Sequence, residues 1–328
     1  MTKFHKTLFS LFFIVLMGCE QDTPSPVQQR IILGVAQQPT SVLVYVAVKQ
    51  KFFEKYGLDV ELKSYLSGKR ALDEGLLVNK IDVVSTTELP IALTASVHPE
   101  LRILASNVIA NDTNRICARR DAAINQPADL EGKNIATQAN SATHYFLHQF
   151  LLEQGIPESD VTMTFMKIEE LLPAIIEGHV QAISAREPQI SQCLKQLDNR
   201  GIIFSAKGLY EQHDLLVSSA EFARQYPQRI HALLKAMLDA ENYANTYPNE
   251  TLDILASELG ISPEIAKTMW AQFSFQVQLP QALLFALEDE VRWAIQTNLI
   301  QSDMPDFTPL FFSEPLRTIA PERVSLIP

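Results

Sequence analysis

Asn79-Lys-Ile-Asp-Val-Val-Ser-Thr-Thr-Glu-Leu-Pro-Ile91 is a stretch that the chain repeats, within one gap, as Gly178-His-Val-Gln-Ala-Ile-Ser-Ala-Arg-Glu-Pro-Gln-Ile190. Each copy follows an amphipathic helical pattern, at 70–78 and 169–177, and each begins with a short apolar strand, at 81–84 and 180–183. A small polar loop then ends in glutamate and proline. Because ligands of open α/β sheets sit at the carboxyl ends of strands, the repeat predicts two α/β halves whose loops face one cleft. The alternative is that these loops are only helix starts, with Ser or Thr as N-cap and Pro just inside.

Length and charge limit the classes of function. The chain has 328 residues, of which 47% are hydrophobic, and its net charge at pH 7 is −11. This length is sufficient for two ordinary domains with a sizeable core. Nucleic-acid binding needs a positive face, and this acidic chain has no Lys/Arg cluster that would supply one. We therefore expect no nucleic-acid partner.

The first thirty residues have the layout of an export segment. Two lysines and a histidine precede an apolar run at 8–17, which is too short to span a bilayer as a stable helix. The run ends in Leu16-Met17-Gly18-Cys19, which resembles a bacterial lipoprotein box. We predict a signal peptide at 1–18, a lipid on Cys19, and a flexible tether at 19–30 that anchors the protein to a membrane outside the cytoplasm. An ordinary signal peptide with a chance cysteine is the alternative.

Cys117 and Cys193 are the other two cysteines. In an exported protein they could form a bridge, since both fall in the predicted second lobe. Two buried free thiols are the interpretation we favour, because cysteine also behaves as a small hydrophobic residue.

The order of elements predicts an α/β fold. Strands at 30–35 and 59–63 flank a helical pattern at 42–53, which is the rhythm of a parallel sheet. An apolar run at 215–218 returns the chain to the first half. We therefore predict lobe one at 31–112 and 214–328, and lobe two at 113–213. We predict that the segment after residue 220 is almost entirely helical and packs on lobe one. The tail after Pro305 is predicted to be irregular.

Several short sequence motifs resemble those of a known family. Phe52-Phe-x-Lys-x-Gly57-Leu58-x-Val60, Asn79-x-x-Asp82-Val83 and Asp129-Leu-x-Gly132-Lys133 resemble substrate-binding proteins of ABC importers. The similar branch handles nitrate, taurine, alkanesulfonates and thiamine-pyrimidine precursors. The resemblance covers nearly the whole mature chain. It implies a type II periplasmic binding protein fold with two lobes around a ligand cleft, a permease and an ATPase as partners, a periplasmic or other extracytoplasmic location, a monomer and no cofactor.

The candidate ligand-binding residues are polar or small residues at the loops that the fold would turn towards the cleft. They are Gln37, Thr40, Ser41, Ser67, Gly68, Lys69, Thr86, Thr87 and Glu88 from lobe one, and Gln138, Asn140, Ser141, Ala142, Thr143, Arg186 and Glu187 from lobe two. The helix start near Ser141 offers unpaired N–H groups and the positive end of the helix dipole to an anion. The alternative is that these residues only cap the helix, as residues at every helix start do.

Arg186 is the central candidate, because a guanidinium binds a carboxylate, sulfonate or phosphate through two parallel hydrogen bonds. A salt bridge to a surface acid is its alternative. Glu88 could accept a hydrogen bond from a ligand amine, or could merely cap the next helix. If Arg186 and Glu88 both face the cleft, the ligand carries a positive and a negative charge, or it is an anion that Glu88 does not contact.

An enzyme or a metal site has little support in the sequence. His144 and His148 have the i, i+4 spacing of metal ligands, but no glutamate lies between them where a zinc protease needs it. The chain lacks Gly-x-Ser-x-Gly, a phosphate loop and a Rossmann glycine pattern. We predict a binding protein for a small anionic or zwitterionic solute, sulfonate-like, taurine-like or pyrimidine-precursor-like. A ligand-sensing lipoprotein and an enzyme on the same scaffold are the alternatives.

Overall fold

The computed structural model describes Met1 and residues 29–327. The predicted Cys19 anchor, the signal peptide after Met1 and the tether up to residue 28 lie outside the described residues. Where the chain is described, no helix is both long and apolar enough to cross a bilayer.

Strands and helices alternate along most of the chain, which confirms the α/β class. The strands are β1 (Gln29–Ala36), β2 (Leu58–Tyr65), β3 (Val83–Thr87), β4 (Leu101–Asn111), β5 (Asn114–Arg119), β6 (Asn134–Thr137), β7 (Thr162–Phe165), β8 (Ala182–Arg186), β9 (Gly201–Phe204), β10 (Glu211–Ser219) and β11 (Phe273–Gln278). The helices are α1 (Val42–Lys49), α2 (Phe52–Lys55), α3 (Gly68–Ala71), α4 (Glu88–Thr94), α5 (Ala142–Glu153), α6 (Ile168–Glu177), α7 (Gln189–Leu197), α8 (Ala220–Gln225), α9 (Pro227–Thr246), α10 (Pro248–Leu259), α11 (Pro263–Trp270), α12 (Gln281–Gln296) and α13 (Glu314–Ile319).

The strands form two mixed sheets. The first sheet has the order β11-β4-β10-β3-β1-β2, and the second has the order β7-β6-β8-β5-β9. The chain leaves the first sheet at the end of β4 and returns to it in β10, so two short segments connect the sheets. Asn114 Nδ2 donates a hydrogen bond to Gln212 Oε1 at 2.9 Å, which ties the two connections together where they run side by side.

The repeated stretch folds as predicted in outline, but its strands are displaced. The predicted strands at 81–84 and 180–183 begin two residues and end three residues too early, since β3 is Val83–Thr87 and β8 is Ala182–Arg186. The polar residues expected in loops are therefore the ends of buried strands. Buried hydrogen bonds satisfy the two serines: Ser85 Oγ donates to Asp214 Oδ1 at 2.5 Å, and Ser184 Oγ donates to the Thr143 carbonyl at 2.8 Å.

The segment after residue 220 departs from the helical prediction in β11. Phe273–Gln278 pairs antiparallel with β4, and its alternate residues Phe275 and Val277 are buried. This period of two fits a strand and not a helix. Within the tail that was predicted to be irregular, α13 is a short helix.

Helix α12 corrects the expectation that the C-terminal helices pack only on lobe one. Leu283, Leu287 and Val291 belong to the core of the first sheet. Trp293 and Ala294 belong to a core formed mainly by the second sheet. The helix therefore supports both sheets.

Cys117 of β5 and Cys193 of α7 form a disulfide bond, so the interpretation as free thiols is wrong. Both cysteines are fully buried, and their Cα atoms are 6.6 Å apart because α7 packs on the face of the second sheet. A bridge between residues 76 positions apart restricts the unfolded chain.

Replacing both cysteines with alanine (C117A/C193A) should lower the free energy of unfolding by about 4 kcal/mol, the chain-entropy estimate for a bridge of this span. Denaturant titrations of the oxidised protein and the double variant would measure the loss. Reductant should destabilise the wild type and leave the variant unchanged. Equal midpoints for all the samples would contradict the stabilising role of the bridge.

Candidate ligand-binding site

Arg186 ends β8 and is buried, with 8% of the residue exposed. Among the described residues, no carboxylate lies within 4.0 Å of its guanidinium, and Nε is a buried donor without a partner. Burial lowers the pKa of Arg186 to about 10, against the opposite effect of the nearby Asp214, so the group is charged at neutral pH. The alternative of a surface salt bridge is therefore wrong. A buried cation with unused donors favours an anion as its partner.

The start of α5 lies beside the end of β8. Strands β6 and β8 run parallel, with Ala136 opposite Ile183, so the chain leaves both strands at the same edge of the sheet. Ser141 precedes the helix, but its hydroxyl donates to the Gln138 carbonyl at 2.7 Å and does not accept from the helix amides. The first amides of α5 therefore have no capping side chain, and the positive end of the helix dipole is available to an anion.

The first sheet faces Arg186 and the start of α5 with an opposing wall, and Asp214 of β10 lies at the centre of this wall. Its buried carboxylate accepts hydrogen bonds from Ser85 Oγ at 2.5 Å, Thr40 Oγ1 at 2.9 Å and Gln38 Nε2 at 3.1 Å. Burial raises the pKa of Asp214 to about 7, while the hydrogen bonds oppose the rise. Asp214 and Gln38 were not among the candidates predicted from the sequence. The available indication for Asp214 was an acid next to the apolar run Leu215-Leu-Val217.

One hydrogen bond between predicted residues joins the two sheets, and the other contacts of this group lie within one sheet and its own helices. Gln138 Nε2 donates to Ser67 Oγ at 3.3 Å, which joins the second sheet's loops to the first. Gly68 lies against Thr86, where an added Cβ would come within 2.9 Å of the Thr86 Cα, so only glycine fits without displacing backbone. Thr143 Oγ1 lies 3.1 Å from Thr137 Oγ1. Thr87 faces Asp214 across the β3–β10 pair.

Other predicted residues have partners inside their own part of the fold. The Glu88 carboxylate accepts from the Tyr210 hydroxyl and, at 3.0 Å, from the His213 amide. Burial raises the pKa of Glu88 to about 8. Glu187 accepts from the Ser191 amide at 3.1 Å. Two further candidates contact neighbouring residues: Ser41 donates to the Ala36 carbonyl, and Lys69 pairs with Asp73. Ala142 is the first residue of α5, and Asn140 is half-buried. Gln37 is exposed beside the buried Gln38. The ligand roles of these residues stay predictions.

A group of buried polar atoms near the two walls makes no hydrogen bond to any described residue. These atoms are Thr86 Oγ1, Asn107 Nδ2 and Oδ1, Thr113 Oγ1, Asn114 Oδ1, Gln138 Oε1 and Arg186 Nε. Buried polar groups are nearly always satisfied in folded proteins, so these need a partner such as a ligand or water. We call the region of Arg186, Asp214, Thr86, Asn107 and Gln138 the inner site.

An outer cavity of about 490 Å³ lies between α3 and the segment from β7 to α6. Its lining includes Arg70, Gln138, Phe165 and Glu169, and Arg70 Nη1 lies 3.4 Å from Glu169 Oε1 across it. Gln138 belongs both to this lining and to the hydrogen bond with Ser67, so the cavity ends where the two sides touch. Arg186 is not part of the lining.

His144 and His148 have separate surroundings. His144 packs against Trp293 with ring centroids 5.0 Å apart, and its burial lowers the pKa to about 4. His148 Nδ1 lies 2.5 Å from Glu158 Oε1. Among the residues that the structure describes, no group of three or more His, Cys, Asp or Glu side chains is arranged to hold a metal ion.

The raised pKa of Asp214 predicts a pH-dependent stability. An acid whose pKa rises from 3.8 to about 7 on folding stabilises the fold below pH 3.8, and this contribution is lost as pH rises through 7. Between pH 5 and 8 the wild type should lose about 2 kcal/mol that the D214N variant keeps. Denaturant titrations at both pH values would measure the difference. D59N, at an exposed position, should behave as the wild type; parallel profiles for D214N and wild type would contradict the assignment.

Two mixed sheets joined by two connections have the architecture of the periplasmic binding protein fold. A family model described as NMT1/THI5 like matches residues 38–251. The chain belongs to this family.

Relatives and solved structures agree with the family. The chain is 22% identical to a putative aliphatic sulfonates-binding protein of Escherichia coli (strain K12), over 71% of this chain and 74% of the relative. It is 25% identical to the taurine-binding periplasmic protein of the same organism, over 65% and 66%. The alkanesulfonate-binding protein SsuA from Xanthomonas axonopodis pv. citri, bound to MOPS, matches with a TM-score of 0.74 and 19% identity over 86% of this chain and 98% of that one. The predicted resemblance and fold are thereby confirmed.

The same fold also carries an enzyme. The desulfurization enzyme DSZB matches with a TM-score of 0.63 and 17% identity, over 90% of this chain and 99% of that one. The fold alone therefore does not separate capture from catalysis.

Proposed function

We propose that the protein is the extracytoplasmic solute-binding component of an ABC importer and captures a small anionic or zwitterionic organic solute. The observation that carries the proposal is the buried Arg186, whose guanidinium has no carboxylate of a described residue within 4.0 Å and whose Nε has no hydrogen-bond partner. The sulfonate-binding names of the relatives support a sulfonate-like or taurine-like solute. A pyrimidine precursor is the other solute class that the family resemblance implies.

In this proposal the two lobes close on the ligand. Arg186 and the start of α5 hold its charged group from one side, and Thr86 and Thr87 contact it from the other. The Gln138–Ser67 and Arg70–Glu169 contacts join the same two sides, so they accompany closure. A ligand favours the closed state because it contacts both lobes only there. We leave Glu88 and Glu187 out of the contact set, because each carboxylate already has partners within the protein.

Arg186→Ala should weaken binding of a sulfonate ligand by roughly ten- to a hundredfold, the scale for losing a charge-assisted hydrogen-bonded pair. Isothermal titration calorimetry would measure the dissociation constants. R186K, which keeps the charge but loses the planar fork, should give an intermediate affinity. R200A, at an exposed position, should bind as the wild type does. Unchanged affinity in R186A would remove Arg186 from the site.

The lipid anchor, the permease and ATPase partners and the monomeric state belong to the same proposal. Cys19→Ala should move the protein from the membrane fraction to the soluble fraction of the cell envelope, because the acyl chains supply the membrane affinity. Gly18→Ala keeps a small residue before the cysteine and should stay in the membrane fraction. Immunoblots of the separated fractions give the answer. Membrane retention of the C19A protein would contradict a lipid on Cys19.

Similarity to DSZB gives one specific reason to consider an enzyme as the second candidate. We propose capture without chemistry, since a binding site needs only the charge and hydrogen bonds described above. A sulfonate incubated with the protein should be recovered unchanged by mass spectrometry. Release of sulfite or a new organic product would favour the enzyme.

A further inference from the structure

Asn107 occupies a β-bulge in the middle of β4. Across the β4–β10 pair, Val108 lies opposite Asp214 and Ser106 lies opposite Leu215, so Asn107 has no opposing residue. The β4–β11 pair is also irregular here, with its register shift falling between Phe275, opposite Val108, and Gln278, opposite Ser106. Bulges of this kind redirect a side chain and are common beside functional sites.

The Asn107 side chain is fully buried and has no hydrogen-bond partner. The residue is 0% exposed, and neither Nδ2 nor Oδ1 bonds to a described residue. Nδ2 approaches the Asp214 carboxylate, but a buried Oδ1 that accepts no hydrogen bond costs free energy. A purely structural position in this apolar strand would favour leucine or valine. The retained amide therefore points to a partner that the protein itself does not supply.

The surroundings of Asn107 place it in the inner site. Because Val108 lies opposite Asp214 across the β4–β10 pair, the bulge sets Asn107 beside Asp214, and the Asn107 amide opposes the rise in the pKa of that carboxylate. Asp214 is in turn the acid whose charge acts on Arg186. Asn114 Oδ1 and Gln138 Oε1 are two further buried amide oxygens without donors. The inner site thus combines one cation with several unused hydrogen-bond acceptors.

We propose that Asn107 contacts the ligand and selects organic anions that also carry a hydrogen-bond donor, such as an amino or hydroxyl group near the charged end. The inference rests on the proposed function and specifies the ligand of that same site. Arg186 binds the anionic group, and the Asn107 oxygen accepts from the donor. A plain alkyl anion would leave this oxygen buried and unpaired, and so would bind more weakly.

The test compares three sulfonates of similar size by calorimetry: 2-aminoethanesulfonate, 2-hydroxyethanesulfonate and ethanesulfonate. With the wild type, the first two should bind about tenfold more tightly than ethanesulfonate, the scale of one hydrogen bond to a buried group. N107L, which keeps the volume and removes the amide, should reduce this preference to within about twofold. N107A serves the same purpose if N107L does not fold. R186A should weaken all three ligands together.

Two results would contradict the role of Asn107 without contradicting the proposed function. One is equal binding of the three sulfonates by the wild type, and the other is an undiminished preference in the folded Asn107 variant. In both cases an anion still binds, so the proposed function stands. A wild-type protein that binds none of the three contradicts the inference and also the sulfonate class of ligand.

Discussion

A guanidinium removed from water loses hydration free energy that only an opposite charge and well-placed acceptors can restore. Arg186 is in this position: it ends a strand that is buried along its whole length, and no described carboxylate pairs with it. The charge of the nearby Asp214 offsets part of this cost, whereas the positive end of the α5 dipole does not. In the proposed function, an anion from outside is the remaining partner of Arg186.

The two sheets depend on each other for this arrangement. One sheet supplies Arg186 and the other supplies Asp214, so neither half forms the inner site alone. The connections between the sheets contain their own buried polar group, in which the Tyr210 hydroxyl donates to Glu88 and lies 3.1 Å from Oε1 of Glu290 in α12. Burial raises the pKa of Glu290 and of Glu88. Because α12 also packs on both cores, the same helix supports the connections and the two sheets.

Sequence patterns predicted the architecture better than the site. The repeated stretch predicted the two-sheet fold, because a helix, a turn residue and an apolar strand give the same sequence pattern in each copy. It misplaced the strand ends, since Ser85 and Ser184 look like loop residues until their buried partners, Asp214 and the Thr143 carbonyl, are known.

Arg186 was selected because a guanidinium suits an anion and the repeat put it in a loop at the predicted cleft. Asp214, Gln38 and Asn107 were not among the candidates, because their contacts arise from pairings between distant strands and from a bulge. The disulfide was missed for the same reason: spacing along the chain does not show that β5 and α7 bring Cys117 and Cys193 together.

The central claim, that the buried Arg186 is completed by an anion, is tested most directly by a thermal-shift screen of the protein that begins after Cys19. The panel would contain taurine, alkanesulfonates, nitrate, carboxylates and pyrimidine precursors. A ligand at a hundred times its dissociation constant adds about 2.7 kcal/mol and should raise the melting temperature by several degrees. The account predicts such a shift for at least one anion and its loss in R186A. A folded protein that no anion stabilises, or an equal shift in R186A, would contradict it.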